Sequence, residues 1–174
     1  MPITRLNHAV LYVRDLERSL AFYCDVLGFN VVPMAPEGFP AAFLQAPGST
    51  NDHDLGLFQI GSAVGDSQAG RATVGLYHLA WEVDTLGDLH DLSEALLAHQ
   101  ALVGASDHGT TKSLYGKDPD GLEFEIAWIV PADRLDDAAR AARTTIGRLD
   151  LEREIQRYGR DTPGGVGISR PSAV

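Results

Sequence analysis

Two stretches of the chain, "HAVLYV" from His8 and "HLAWEV" from His78, superpose position by position, and each opens on a histidine. Side chains alternate across a strand, so His8 shares a face with Leu6, Val10 and Tyr12, and His78 shares one with Leu76, Ala80 and Glu82. The opposite set in the second stretch, Tyr77, Leu79, Trp81 and Val83, is the more continuously apolar and is expected to pack on a helix. The histidine face is then left for the concave side of a sheet. Taken singly, a strand histidine is a hydrogen-bonded core or edge residue. Two at equivalent positions in a repeated unit fit two corners of a divalent-metal site, for which neutral imidazole is a favoured ligand.

A metal site needs a further donor, preferably an anionic oxygen. "KDPDGLEFEIAW" offers two, Glu123 and Glu125, on one face of a strand whose other face is Leu122, Phe124, Ile126 and Trp128. Glu123 reads as a solvated strand position. Glu125 lies deeper, where burying its charge without a cation would cost several kcal/mol or force protonation. A ligand role removes that conflict.

These residues depend on the elements that carry them. "LNHAVLYVRDL" reads as a strand leading into "LERSLAFYCDVLGF", where Leu16, Leu20, Tyr23 and Leu27 recur at helical spacing and Gly28 marks a C-terminal stop. Strand-like pieces follow at "NVVP", "AAFLQA" and "HDLGLFQIG". The second half repeats the order. "GLYHLAWEVDTL" precedes a helix with Leu89, Leu92, Leu96 and Leu97 along one stripe, then come "ALVGA", "KSLYGKD" and "LEFEIAWIV". Each half is β-α-β-β-β, and this repetition is the feature that most constrains the fold. The expectation is an α+β domain over residues 1–130, with modules at about 3–61 and 74–130 forming a curved mixed sheet around a central cavity. The small and polar stretch 61–73 connects them. Residues 131–160 read as an amphipathic helical tail with Leu135, Ala138, Ala142, Ile146, Leu149 and Ile155 on its apolar side, and 161–174 as a flexible C-terminus.

Composition narrows the function classes. With 174 residues, 44% of them hydrophobic, the chain can bury a sizeable core, and a net charge of −10 argues against a nucleic-acid surface. The partner expected is a small molecule. The opening "MPITRLNHAVLYV" has too short an apolar run for a signal peptide or membrane span. Cys24 stands alone, which excludes an internal disulfide and fits a reducing, cytoplasmic setting.

Together, the paired modules, "NHAVLYVRDLERSLAFYCDVLGF", "YHLAWEVD" and "DPDGLEFEI" resemble the vicinal oxygen chelate superfamily of glyoxalases, bleomycin- and fosfomycin-resistance proteins and extradiol dioxygenases. The resemblance covers roughly residues 3–130. Glyoxalase I-like members resemble a four-ligand site with a second acid from the last strand of the first half. Here that strand, "HDLGLFQI", has no glutamate, and Gly56 or an apolar neighbour takes the place. The set that remains is His8, His78 and Glu125, a two-histidine, one-carboxylate triad suited to non-haem Fe(II), with Mn(II) also admissible. The resemblance implies an extradiol dioxygenase of the catechol 2,3-dioxygenase kind, taking an aromatic diol and O₂. It implies an acid-base role for His53, a substrate hydrogen bond from Tyr115, and a pocket position for His108, whose spacing to Tyr115 departs from the family pattern. It also implies a homodimer. The rivals are a glyoxalase- or isomerase-like enzyme with Zn or Ni, a thiol transferase with Mn, and a metal-free drug-binding protein.

Overall fold

The computed structural model describes residues 2–3, 5–69 and 72–165, and the expectation for the chain beyond residue 165 lies outside them. Two compact units emerge: one holds the chain through Ser67 together with Asp118–Gly121, the other Gln68–Lys117 and Leu122 onward.

The first unit runs β1 (Ala9–Val13), α1 (Leu16–Ala21), β2 (Asn30–Val32), β3 (Ala41–Gln45) and β4 (Leu55–Gln59), with sheet order β1-β4-β3-β2. The order β-α-β-β-β is the one expected. α1 starts where the Asp15 carboxylate accepts the Arg18 amide at 3.0 Å, continues through a wider turn over Phe22–Val26, and ends before Gly28, whose φ of +79° suits glycine. Its core gathers Val13, Leu44, Leu55 and Leu57 with Phe22, Tyr23 and Phe29 of the helical segment and its exit. The "DPDG" turn belongs to this unit. Asp120 accepts the Arg14 amide at 2.8 Å and its guanidinium at 3.0 Å, while the buried Tyr23 hydroxyl donates to Asp118 at 3.1 Å. Burial and the Asp118 charge push the Tyr23 phenol well above its ordinary pKa.

The second unit repeats the order as β5 (His78–Glu82), α2 (Leu86–Ala98), β6 (Leu102–Asp107), β7 (Thr111–Lys117) and β8 (Glu123–Ile129). Thr85 and Asp88 cap α2 reciprocally, each side chain accepting the other's backbone amide at 3.0 Å. Leu86, Leu89 and Leu96 bury themselves with Leu114, Phe124, Ile126 and Trp128 of the sheet. Among the described residues no helix is long and apolar enough to cross a membrane.

The segment after β8 adds α3 (Asp137–Ala141), a short β9 (Gly147–Arg148) and α4 (Leu151–Tyr158) to the second unit, and β9 extends its sheet to the order β5-β8-β7-β6-β9. The buried positions differ from the apolar stripe expected. Leu149 of that stripe is buried, but Ala138 is exposed and Ile146 is 79% exposed, while Ala139, Glu154 and Tyr158 outside it are buried. The reason is electrostatic. Lys112 of β7 is wholly buried, with its ammonium 2.5 Å from Asp107 and 2.9 Å from the carboxylate of Glu154 on α4. An ion in the interior requires its counter-ion beside it, so α4 docks by a charged residue. The stretch expected to be flexible from residue 161 is held through residue 165: Trp128 donates to the Thr162 carbonyl at 3.2 Å and the Gly165 amide to Ile129 at 3.0 Å.

Lys112→Ala strands two carboxylates and is expected to destabilise the protein by about 3–5 kcal/mol in chemical denaturation. Replacing Lys112 with Met and Glu154 with Leu together is expected to recover most of that loss.

Candidate metal centre

In the second unit the site is assembled by register. β5 and β8 run parallel with His78 opposite Glu123 and Ala80 opposite Glu125, and antiparallel β7 sets Tyr115 opposite Glu125. Directly paired residues share a face, so His78, Glu125 and Tyr115 point the same way. The contact that follows is short: His78 Nε2 lies 3.1 Å from Glu125 Oε2, with the two side chains 25% and 15% exposed. That separation is the one of a hydrogen-bonded pair, and two adjacent ligands of one octahedral ion, each bonded at about 2.0–2.2 Å, would stand about as far apart. His78 Nδ1 is buried without a hydrogen-bond partner among the described residues. Glu123 is engaged otherwise, accepting from the Tyr77 hydroxyl at 2.8 Å.

Tyr115 has a second neighbour, because the Tyr115 hydroxyl lies 3.1 Å from His108 Nε2. Burial raises the phenol's pKa above 10.0 and the negative Glu125 adds to it, against the lowering pull of the Ser106 and Ser113 hydroxyls. A cavity of about 470 Å³ opens on Tyr115, His108 and Glu125, within the size range of small-molecule sites. The tail adds Arg143 to its lining. Arg143 is exposed to solvent, as helical periodicity in 131–160 ranks a charged side chain, and its place beside Tyr115 and His108 left no signal in the sequence.

In the first unit His8 is exposed at the entry to β1, its Nδ1 2.7 Å from the Asn7 side-chain oxygen. His53 lies beside it, with ring centroids 4.4 Å apart, and packs against Phe43 at 5.0 Å. The loop carrying His53 is fixed by Asp54. That carboxylate accepts from the Ala46 amide, the Ser49 hydroxyl and the Asn51 side chain, each at 2.8 Å. Burial alone would raise its pKa, but those donors outweigh it and hold Asp54 below the ordinary carboxylate value. Asn51 also donates to the Asn7 carbonyl at 2.9 Å, tying the loop to the strand that bears His8. Phe58 meets Phe39 and Phe43 edge to face at 5.7 and 5.9 Å.

The registers of the two sheets correspond. Val10, Gly56 and Phe43 lie abreast in the first, as Ala80, Glu125 and Tyr115 do in the second. Gly56 stands at the position of Glu125. A β-carbon there would already meet Phe58 and Val10 at 3.3 Å, so neighbouring side chains fill the space a carboxylate would need. The first unit brings His8 and His53 and no acid at that place, and the second brings His78, His108 and Glu125.

Residues 5–126 match the sequence profile of the Glyoxalase/Bleomycin resistance protein/Dioxygenase superfamily. The chain belongs to that superfamily. A Catechol-2,3-dioxygenase of Bacillus subtilis (strain 168) is 36% identical over 123 residues, 71% of this chain and 41% of the relative. A Lactoylglutathione lyase of Neisseria meningitidis is 32% identical over 137 residues, covering 70% of this chain and 88% of the relative. The chain thus spans less than two thirds of the dioxygenases it matches. In fold it resembles the glyoxylase/bleomycin resistance protein/dioxygenase domain from Frankia sp. EAN1pec, with a TM-score of 0.61 at 22% identity over 77% of this chain and 98% of that one. Superfamily membership accounts for the paired modules. It leaves the reaction to the residues of the site, because both oxygenases and lyases share them.

The Tyr115 phenol is expected to ionise above the ordinary value of 10.0, and Glu125→Gln to lower that midpoint by removing the adjacent charge. Ultraviolet titration, assigned by difference from Tyr115→Phe, reads both.

Proposed function

We propose that this chain is an extradiol ring-cleaving dioxygenase acting on a catechol-type diol with O₂, with Fe(II) held by His8, His78 and Glu125. The observation that carries the reading is geometric: the Tyr115 hydroxyl lies 3.1 Å from His108 Nε2, and Tyr115 stands opposite Glu125 on the sheet. That is a proton-handling pair next to a candidate ligand. Gly56 supports the same branch, since a four-ligand lyase site would want a carboxylate there.

Fe(II), when bound, supplies open positions at which a diol and O₂ can meet. The chain's own residues do the rest. Tyr115 donates a hydrogen bond to the substrate oxygen that has lost its proton, and the contact with His108 Nε2 orients the phenol for this. His53 accepts a diol proton as general base and returns it on product formation. Phe39, Phe43 and Phe58 offer ring edges and faces to a planar substrate. The same donor set accepts Mn(II), and a dimeric, cytoplasmic enzyme is part of the proposal.

Anaerobic purification, metal analysis, then addition of Fe(II), catechol and air tests it: oxygen uptake with a yellow ring-fission product is expected. Bound Zn, Ni or Mn without oxygen uptake would assign the chain to the lyase or transferase branch, and undiminished ligand binding without any metal to the drug-binding one. His78→Ala and Glu125→Ala are each expected to lose metal in the same analysis, and full occupancy in either would remove that residue from the ligand set. His53→Phe is expected to retain metal and slow turnover by about 10²–10⁴-fold. An unchanged rate would return His53 to a turn residue.

A further inference from the structure

Arg143 lies beyond the region that matches the superfamily, yet it lines the cavity shared by Tyr115, His108 and Glu125. Its backbone is pinned there. The residues just before it press on Gly109, where a β-carbon would come within 2.3 Å of the Ala139 carbonyl oxygen and 2.8 Å of the Ala142 side chain. Gly109 itself follows His108, has a φ of +74°, and donates its amide to Asp107 at 2.7 Å. Asp107 is in turn held by the buried Lys112. α3 is tied to α4 by the ion pair of Asp136 with Arg157 at 2.5 Å. The short turn Ala142–Thr144 that carries Arg143 thus begins at a residue packed on Gly109, next to His108.

What the guanidinium lacks is a partner. Among the described residues it makes no ion pair or side-chain hydrogen bond; the same holds for the exposed Arg134, Arg140, Arg148 and Arg153, and what sets the exposed Arg143 apart is its place in the cavity lining. Glu125 is the one acid in the cavity lining, and the dioxygenase reading commits it to the metal. The rest of that lining consists of histidine, threonine, tyrosine and isoleucine. In a chain of net charge −10, an unpaired arginine facing a cavity is a local reversal of sign. Its planar fork matches a carboxylate through two parallel hydrogen bonds.

We propose that Arg143 is a specificity-determining residue that binds a carboxylate on the substrate, so that this site prefers aromatic diols bearing an acid group over neutral catechols. The proposal rests on the dioxygenase reading for the diol and on the geometry of the second unit for the acid.

Affinities of the Fe(II)-loaded protein for 3,4-dihydroxybenzoate and catechol, measured by calorimetry without oxygen, test it. The acid is expected to bind about tenfold more tightly, a ratio that falls toward one in Arg143→Gln, is partly kept in Arg143→Lys, and shrinks with added salt. A ratio near one in the unmodified protein, or one that survives Arg143→Gln, overturns the proposal. Benzoate against benzamide on the metal-free chain reads the same preference without diol or iron. Admission of air to the catechol sample tests the reaction separately. A carboxylate preference without ring opening keeps the anion site and removes the dioxygenase, and ring opening without the preference does the reverse.

Discussion

A one-residue slip between β5 and β8 would turn Glu125 into the space filled by Phe124 and Ile126, and would send those two side chains to the face of His78. The side-chain period of a strand is two, so no smaller error exists and no larger one is needed to erase the site. What prevents it is the apolar face. Phe124, Ile126 and Trp128 are nearly inaccessible to solvent, and their burial under α2 fixes which way β8 faces. Core packing thus sets the face of the candidate ligands, and the 3.1 Å contact of His78 with Glu125 follows from it.

The same reasoning explains why the two halves share a plan and differ in chemistry. Both sheets set their first and last strands parallel in the same register. In one the central position is Glu125 beside Tyr115; in the other it is Gly56 beside Phe43. A module whose core stays apolar is free to exchange what stands on the opposite face, and here one half carries acid and phenol while the other carries glycine and aromatic rings.

The equivalence of His8 and His78 was legible because alternation and internal repetition are both properties of linear sequence. The replacement of an acid by Gly56 was legible for the same reason. The tail was not. Its expected stripe assumed that apolar residues face inward, whereas α4 docks through Glu154, which is 3% exposed. The partner that makes this possible, Lys112, stands on β7 next to residues that read as an ordinary amphipathic strand. A buried ion pair joins positions far apart in the chain and leaves no period behind. The contact of Tyr115 with His108 escaped notice as a pair for a related reason, since it depends on how sharply the chain reverses at Gly109.

The turn Asp118–Gly121 is encoded between the last two strands of the second repeat and counted, by its contacts, with the first. It supplies the acceptor for the buried Tyr23 hydroxyl and both acceptors on Asp120 for Arg14. The repeats are thus no longer modular in the genetic sense. A first half cut off before that turn would lose the acceptor of Tyr23 and the Asp120 partner of Arg14, so the boundary between the repeats in sequence is not the boundary between the compact units.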